Sequence, residues 1–171
     1  AVRFLILCDS FNIPVIFLAD TPGFLIGEAA ERQRVAGKIM NFQQAMEFTT
    51  VPKLAVILRK SYGQAWLSMA GLHADDIAAW FTAEVGFVDP AVGVSVMYGL
   101  TRDQDPEKWD KLRADLARGT TAYDLAAPFY ADRIIDPRDT RAHLLRQLAI
   151  HARRRQGGIG EHLLATWPST Y

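Results

Sequence analysis

The amino-acid sequence predicts one α/β domain whose strands run parallel and are joined by right-handed crossovers. Two segments carry that expectation. Residues 14–19 (PVIFLA) and 53–58 (KLAVIL) are almost wholly apolar and rich in β-formers, the pattern of strands covered on both faces. Each is followed by a glycine-bearing loop and then by a helical repeat, so that strand, loop and helix occur twice in succession. Size agrees with this: 171 residues, of which 50% are hydrophobic, suffice for a single core.

From the first residue onward, Val2, Leu5, Cys8 and Phe11 recur at helical spacing, and Asn12 with Pro14 stops the segment. The chain opens at Ala1 already inside that helical pattern, and we expect it to be a piece of something longer. After the first strand, Asp20, Thr21, Pro22 and Gly23 break into a loop that continues to Gly27. Residues 28–48 read as one helix with Val35, Ile39, Phe42 and Met46 on a single stripe. Beyond the second strand, residues 59–63 read as a loop and 64–72 as a short helix. Strands are expected over 77–83 and 84–88. Asp89-Pro90 and Asp105-Pro106 each start a helix, over 91–98 and 107–118, because proline suits the first helical position and acid the first turn. Residues 123–131 read as helical, Ile134 and Ile135 as extended, and 140–154 as a last amphipathic helix. The expected organisation is one domain over 1–155 and a C-terminal tail over 156–171 that opens with Gly157, Gly158 and Gly160.

Composition narrows the function. The 19 Lys and Arg balance 19 Asp and Glu, leaving no long-range field to draw in nucleic acid or an anionic membrane. No apolar run approaches the ~20 residues that span a bilayer, so no membrane partner is expected. Cys8 alone cannot form an internal disulfide, which fits a reducing, cytoplasmic setting; its place on an apolar helical stripe makes it a core residue. There is no G-x-S-x-G elbow for a nucleophilic serine. Neither a histidine pair at i, i+4 nor a CxxC is present, so no metal is expected. His73, Asp75 and Asp76 read as a solvated helix end, and His143, His151 and His162 as surface residues. The arginines at 153–155 read as the cationic end of a helix rather than a nucleic-acid patch.

Ligands of parallel sheets gather at loops leaving the carboxyl ends of strands, and two loops qualify. The first contains Gly23, Phe24, Leu25, Ile26 and Gly27. Its glycines permit positive φ and close ligand approach, and its apolar residues suit either a wall for something flat and uncharged or a hydrophobic plug in a tight turn. It lacks the Gly-Lys-Ser/Thr ending of a phosphate loop. The second loop runs through Tyr62 and Gly63 into a helix that opens at Gln64 and Ala65. A helix's first turn leaves backbone N–H groups without intrahelical partners, and those donors suit a developing oxyanion or enolate. The other reading is an ordinary strand–turn–helix joint.

Together these segments resemble the C-terminal half of the carboxyltransferase (β) subunits of biotin-dependent acyl-CoA carboxylases, of the propionyl-CoA and acetyl-CoA carboxylase type. The resemblance is carried by Cys8-Asp9-Ser10-Phe11-Asn12-Ile13-Pro14, Asp20-Thr21-Pro22-Gly23-Phe24-Leu25-Ile26-Gly27 and Thr50-Val51-Pro52-Lys53. It continues through Arg59-Lys60-Ser61-Tyr62-Gly63, Ala79-Trp80 and Ala83-Glu84 to Ala131-Asp132-Arg133-Ile134-Ile135-Asp136-Pro137 and Thr140-Arg141, covering residues 3–155. Where relatives often have a second glycine after Tyr-Gly, this chain has Gln64.

The resemblance implies a crotonase-like (ClpP/crotonase) fold, a spiral of β-β-α turns. It implies transfer of a carboxyl group from carboxybiotin to the α-carbon of an acyl-CoA, with biotin borne on a separate carrier domain or subunit. Carried over, the backbone N–H groups of Gln64 and Ala65 form an oxyanion hole for the biotin ureido oxygen, and Gly23, Phe24, Leu25, Gly27, Tyr62 and Gly63 shape the cofactor pocket. The implied partners are an N-terminal carboxyltransferase domain supplying most of the acyl-CoA site, a biotin carboxyl carrier, a biotin carboxylase component and further copies of the chain in a homo-oligomer. The chain alone is then expected to be inactive. Two other readings stay open. One is a crotonase-type acyl-CoA hydratase or isomerase, which normally needs carboxylates beside the hole, and residues 59–67 contain none. The other is a non-catalytic assembly module.

Overall fold

Strand β2 (Lys53–Tyr62) is the axis of the fold, which the computed structural model describes over residues 1–152. Strand β1 (Val15–Thr21) lies parallel on one side of it, and β3 (Asp76–Trp80) parallel on the other, with β5 (Arg133–Ile135) beyond β3. Strand β4 (Glu84–Gly86) joins only the far end of β2, where Lys60 pairs with Glu84, Ser61 with Val85 and Tyr62 with Gly86. Two strands therefore share β2 on that side: β3 uses Leu54, Ala55, Val56 and Ile57, and β4 uses the last three residues. Residues 59–62, expected as loop, are strand for this reason. Their hydrogen-bonding partner arrives more than twenty residues later in the chain, and no local signal announces it.

The core follows from these pairings. Lys53 through Ile57 are buried on both faces of the sheet, whereas β1 alternates, with Val15, Phe17 and Ala19 inward and Ile16 and Leu18 in solvent. Each fully buried aliphatic side chain contributes about 1.5–3 kcal/mol. Helix α1 (Val2–Ser10) adds Val2, Leu5 and the expected core Cys8. At its end the buried Asp9 carboxylate accepts from the N–H of Thr50 at 2.7 Å, the Thr50 hydroxyl at 2.9 Å and the N–H of Val51 at 3.1 Å. These charge-assisted bonds tie α1 to the entrance of β2.

The single helix expected over 28–48 is two, α2 (Glu28–Arg32) and α3 (Val35–Phe48), because Arg34 adopts a left-handed φ of +54° that no helix interior accepts. The side chains α3 buries are Asn41, Ala45 and Met46, while Val35, Ile39 and Phe42 are half-buried. Helix α4 (Gln64–Ser68) stops short of residue 72: Ala70 turns left-handed and the N–H of Gly71 returns to the Trp66 carbonyl at 3.0 Å. Helix α5 (Pro90–Tyr98) is capped by Asp89, and α6 (Pro106–Leu116) by Asp105. Helix α7 (Ala122–Ala126) opens on a Thr121–Asp124 capping box and ends before residue 131, where Phe129 is left-handed and the N–H of Tyr130 bonds the Leu125 carbonyl at 3.1 Å. Helix α8 (Thr140–His151) follows a short 3-10 turn. The expected tail over 156–171 and the arginines at 153–155 lie outside the described residues.

Candidate functional site

The site is built where β2 runs out. Gly63 follows Tyr62 with φ +56° and ψ −131°, and its N–H donates to the Gly86 carbonyl at 2.9 Å. A Cβ at this position would lie 2.8 Å from the Phe87 carbonyl oxygen, so both backbone conformation and close approach demand glycine. The chain then turns into α4, and the N–H of Trp66 takes the Gly63 carbonyl at 3.1 Å. The two amides between them, those of Gln64 and Ala65, donate to no protein acceptor among the described residues. The Gln64 side chain leaves the turn and accepts from Gln43 Nε2 on α3 at 2.9 Å.

Beside this turn lies a cavity of about 490 Å³, walled by Gly63, Gln64, Trp66, Phe87, Leu125 and Tyr130 among others. The Trp66 and Tyr130 rings meet edge to face with centroids 6.0 Å apart, a favoured aromatic geometry. Phe87 is 94% exposed at the mouth. Among the described residues no lysine, arginine or histidine lines the space, and its one carboxylate, Asp124, is occupied by the Thr121 N–H at 3.0 Å and hydroxyl at 2.5 Å. The bonds from Thr121, the hydroxyl's first, hold the Asp124 carboxyl below its ordinary pKa. The chamber is thus apolar and electrically quiet, and the turn that carries the unengaged Gln64 and Ala65 amides borders it at Gly63 and Gln64.

The structure does not gather every expected residue at this cavity. Gly23, Phe24, Leu25 and Gly27 lie outside its lining, and the far wall comes instead from the segment between Gly119 and Tyr130. The first loop does leave the same end of the sheet, since Thr21 pairs with Ser61. Gly23 and Gly27 adopt φ of +150° and +98°, and the loop holds Leu25 and Ile26 in solvent. Ala65 is fully buried beneath the turn and, like the first loop, lies outside the cavity lining. Tyr62 also points away from the cavity: its ring is buried, and its hydroxyl donates to Glu84 Oε2 at 3.1 Å. Burial and the neighbouring Glu84 charge push the phenol far above its ordinary range.

Ion pairs fasten the frame around the turn. Asp20 accepts from Arg59 Nε at 3.1 Å and from the Lys60 N–H at 3.3 Å, and the first of these bonds leads in holding its carboxyl below the ordinary value. Lys60 Nζ meets the buried Asp89 at 2.6 Å, and Asp89 also accepts from the N–H groups of Ala91 and Val92 at the start of α5. A smaller recess of about 220 Å³ holds Lys60, Glu84, Asp89, Arg113, Thr120 and Thr121. Sequence reasoning missed Lys60–Asp89; the only available signal was an Asp-Pro helix start whose aspartate has a second oxygen to spare.

Two histidine readings change. His143, expected at the surface, is buried against the Asp76 carboxylate at 2.7 Å, and Asp75 accepts the Lys53 N–H at 2.9 Å instead of sitting at a solvated helix end. His73 meets Glu47 at 2.8 Å. No cluster of three metal-ligating side chains exists among the described residues, and no helix among them is long and apolar enough to cross a membrane.

Comparison with known proteins bears on this site. The family model described as "Carboxyl transferase domain" matches residues 1–161. The methylmalonyl-CoA decarboxylase subunit alpha of Veillonella parvula is 35% identical over 156 residues, which are 90% of this chain and 30% of that protein. The methylmalonyl-CoA carboxyltransferase 12S subunit of Propionibacterium freudenreichii subsp. shermanii is 35% identical over 162 residues, 91% of this chain and 31% of that one. Among solved structures, the beta subunit of P. aeruginosa geranyl-CoA carboxylase aligns with a TM-score of 0.80 and 30% identity, over 97% of this chain and 34% of its own. The chain spans less than a third of the length of those two curated relatives.

Proposed function

This chain belongs to the carboxyl transferase domain family and has its crotonase-like fold, and from that premise we propose that it is the biotin-facing part of an acyl-CoA carboxyltransferase of the propionyl-CoA or acetyl-CoA type. The supporting observation is the pair of unengaged amides at Gln64 and Ala65 in a turn whose Gly63 and Gln64 line an apolar cavity.

The residues present fit a biotin ring. A bicycle with a planar, neutral ureido ring needs apolar walls, which Trp66, Phe87, Leu125 and Tyr130 supply, and hydrogen-bond donors at its carbonyl edge. Carboxybiotin supplies the carboxyl group and, on giving it up, the base for the acyl α-carbon. The N–H groups of Gln64 and Ala65 donate to the ureido oxygen and hold it more tightly as negative charge grows there. One such preorganised donor is worth about 3 kcal/mol of barrier. Gly63 lets the turn come close enough to present both donors, and the aromatic walls exclude water, so that the group in transit is not lost to solvent. Tyr62 supports the turn from beneath. The first loop, with Gly23, Phe24, Leu25 and Gly27, offers Leu25 and Ile26 to a ligand or neighbour approaching from the open side.

The acyl-CoA is held by an N-terminal carboxyltransferase domain, in a homo-oligomer served by a biotin carboxyl carrier and a biotin carboxylase component in the cytoplasm. Joined to an N-terminal carboxyltransferase domain and given a biotinylated carrier, the chain should move carboxyl from carboxybiotin to propionyl-CoA or acetyl-CoA; alone it should show no turnover. Free biotin should shift the Gln64 and Ala65 amide resonances. Carboxylation by the isolated chain, or silent amides, would count against the assignment.

A further inference from the structure

A glutamine at the first position of α4 brings a long carboxamide side chain to the edge of the cavity. That carboxamide is engaged on α3. Its Oε1 accepts from Gln43 Nε2 at 2.9 Å, and Gln43 sits near the middle of α3, from which no residue lines the cavity. We propose that Gln43 is a positioning residue, which parks the Gln64 carboxamide on α3 and so keeps the space beside the Gln64 and Ala65 amides open. The inference rests on the reading of that cavity as the seat of the biotin ring.

The physical argument concerns what Gln64 does when released. A glutamine side chain has three rotatable bonds and a terminal oxygen able to accept from backbone N–H groups of its own turn, as acidic and amide side chains do at helix starts. An untethered Gln64 therefore competes with the ligand for space and for the donors themselves. Gln43 is a suitable anchor because α3 has 14 residues and buries Asn41, Ala45 and Met46 on either side of it, whereas α4 has five.

The test is a titration of free biotin into the whole chain, followed by amide resonances at Gln64 and Ala65, for wild type, Gln43→Leu, Gln43→Glu, Gln64→Gly and the Gln43→Leu/Gln64→Gly double variant. Losing the tether should weaken biotin binding about three- to tenfold in Gln43→Leu, the scale of one net hydrogen bond. Gln43→Glu replaces the donor with a carboxylate that accepts from the Gln64 NH2 once that carboxamide flips, and should bind as wild type does. In the Gln64→Gly background, Gln43→Leu should change nothing, which a general loss of α3 stability would not imitate. Equal affinity in wild type and Gln43→Leu, with both amides responding, overturns the inference and leaves the cavity reading intact. Amides that ignore biotin in wild type overturn the cavity reading, and the role of Gln43 falls with it.

Discussion

His143 Nε2 and Asp76 Oδ2 lie 2.7 Å apart, linking the first turn of α8 to the first residue of β3 with both side chains more than nine-tenths buried. Arg133 Nε stands 3.9 Å from the other Asp76 oxygen, and one turn before His143 the Thr140 hydroxyl accepts from Trp80 Nε1 at 2.8 Å. A helix usually docks by its apolar stripe, yet α8 leaves Leu145 and Ile150 in solvent and buries Gln147. Polar contacts therefore hold α8 in register. Replacing His143 with alanine strands a buried carboxylate and should cost about 1–3 kcal/mol in urea unfolding. An unchanged midpoint would mean that the pair contributes nothing.

Gly63→Ala adds a Cβ 2.8 Å from the Phe87 carbonyl oxygen at a positive φ. A strained backbone of this kind costs about 1–3 kcal/mol, and either the turn or β4 must shift. We expect lower stability together with loss of the biotin-dependent amide shifts at Gln64 and Ala65. A variant as stable as wild type that still binds biotin would show that the turn can be rebuilt around a side chain.

Tyr62→Phe separates packing from ligand contact. Because the ring is buried and its hydroxyl is engaged by Glu84, the change should cost about 1 kcal/mol of stability and leave biotin affinity where it was. A clear drop in affinity without a stability change would place Tyr62 in the pocket after all.

Asp89 gives the acid limb of stability a specific source. Burial raises its carboxyl, but the bonds from Lys60 Nζ and from the N–H groups of Ala91 and Val92 outweigh it, and the pKa falls below the ordinary 3.8. Its stabilising effect is present in full above that ordinary value and disappears as pH drops through the lower folded value. Asp89→Asn should be less stable at neutral pH and should lose less on acidification. Parallel acid limbs for the two proteins would refute the role.

The parts of the fold that could be read from the chain were those written locally. The two apolar runs became β1 and the first half of β2, and Asp89-Pro90 and Asp105-Pro106 began helices because each supplies its own cap. The parts that could not were pairings between distant segments. Residues 60–62 are strand because β4 returns to them and Thr21 of β1 pairs with Ser61, His143 is interior because Asp76 meets it, and the far cavity wall at Leu125 and Tyr130 had no motif to mark it. The break at Arg34 lacked even a glycine or proline as a warning. At the site, the turn after Tyr62 was legible because glycine followed by a helix start is a local event, whereas the tether to Gln43 was not.

Between the pairs Ala19–Ile57 and Thr21–Ser61, β1 passes through one residue and β2 through three. An even surplus preserves the alternation of sides, so Tyr62 still turns inward when the strand resumes its ladder. The register accordingly tolerates another side chain at Leu58 but not the loss of a residue. A single deleted codon there would present the phenol to water and drive its neighbour Ser61 onto the opposite face, erasing the turn at Gly63 without touching any residue in it.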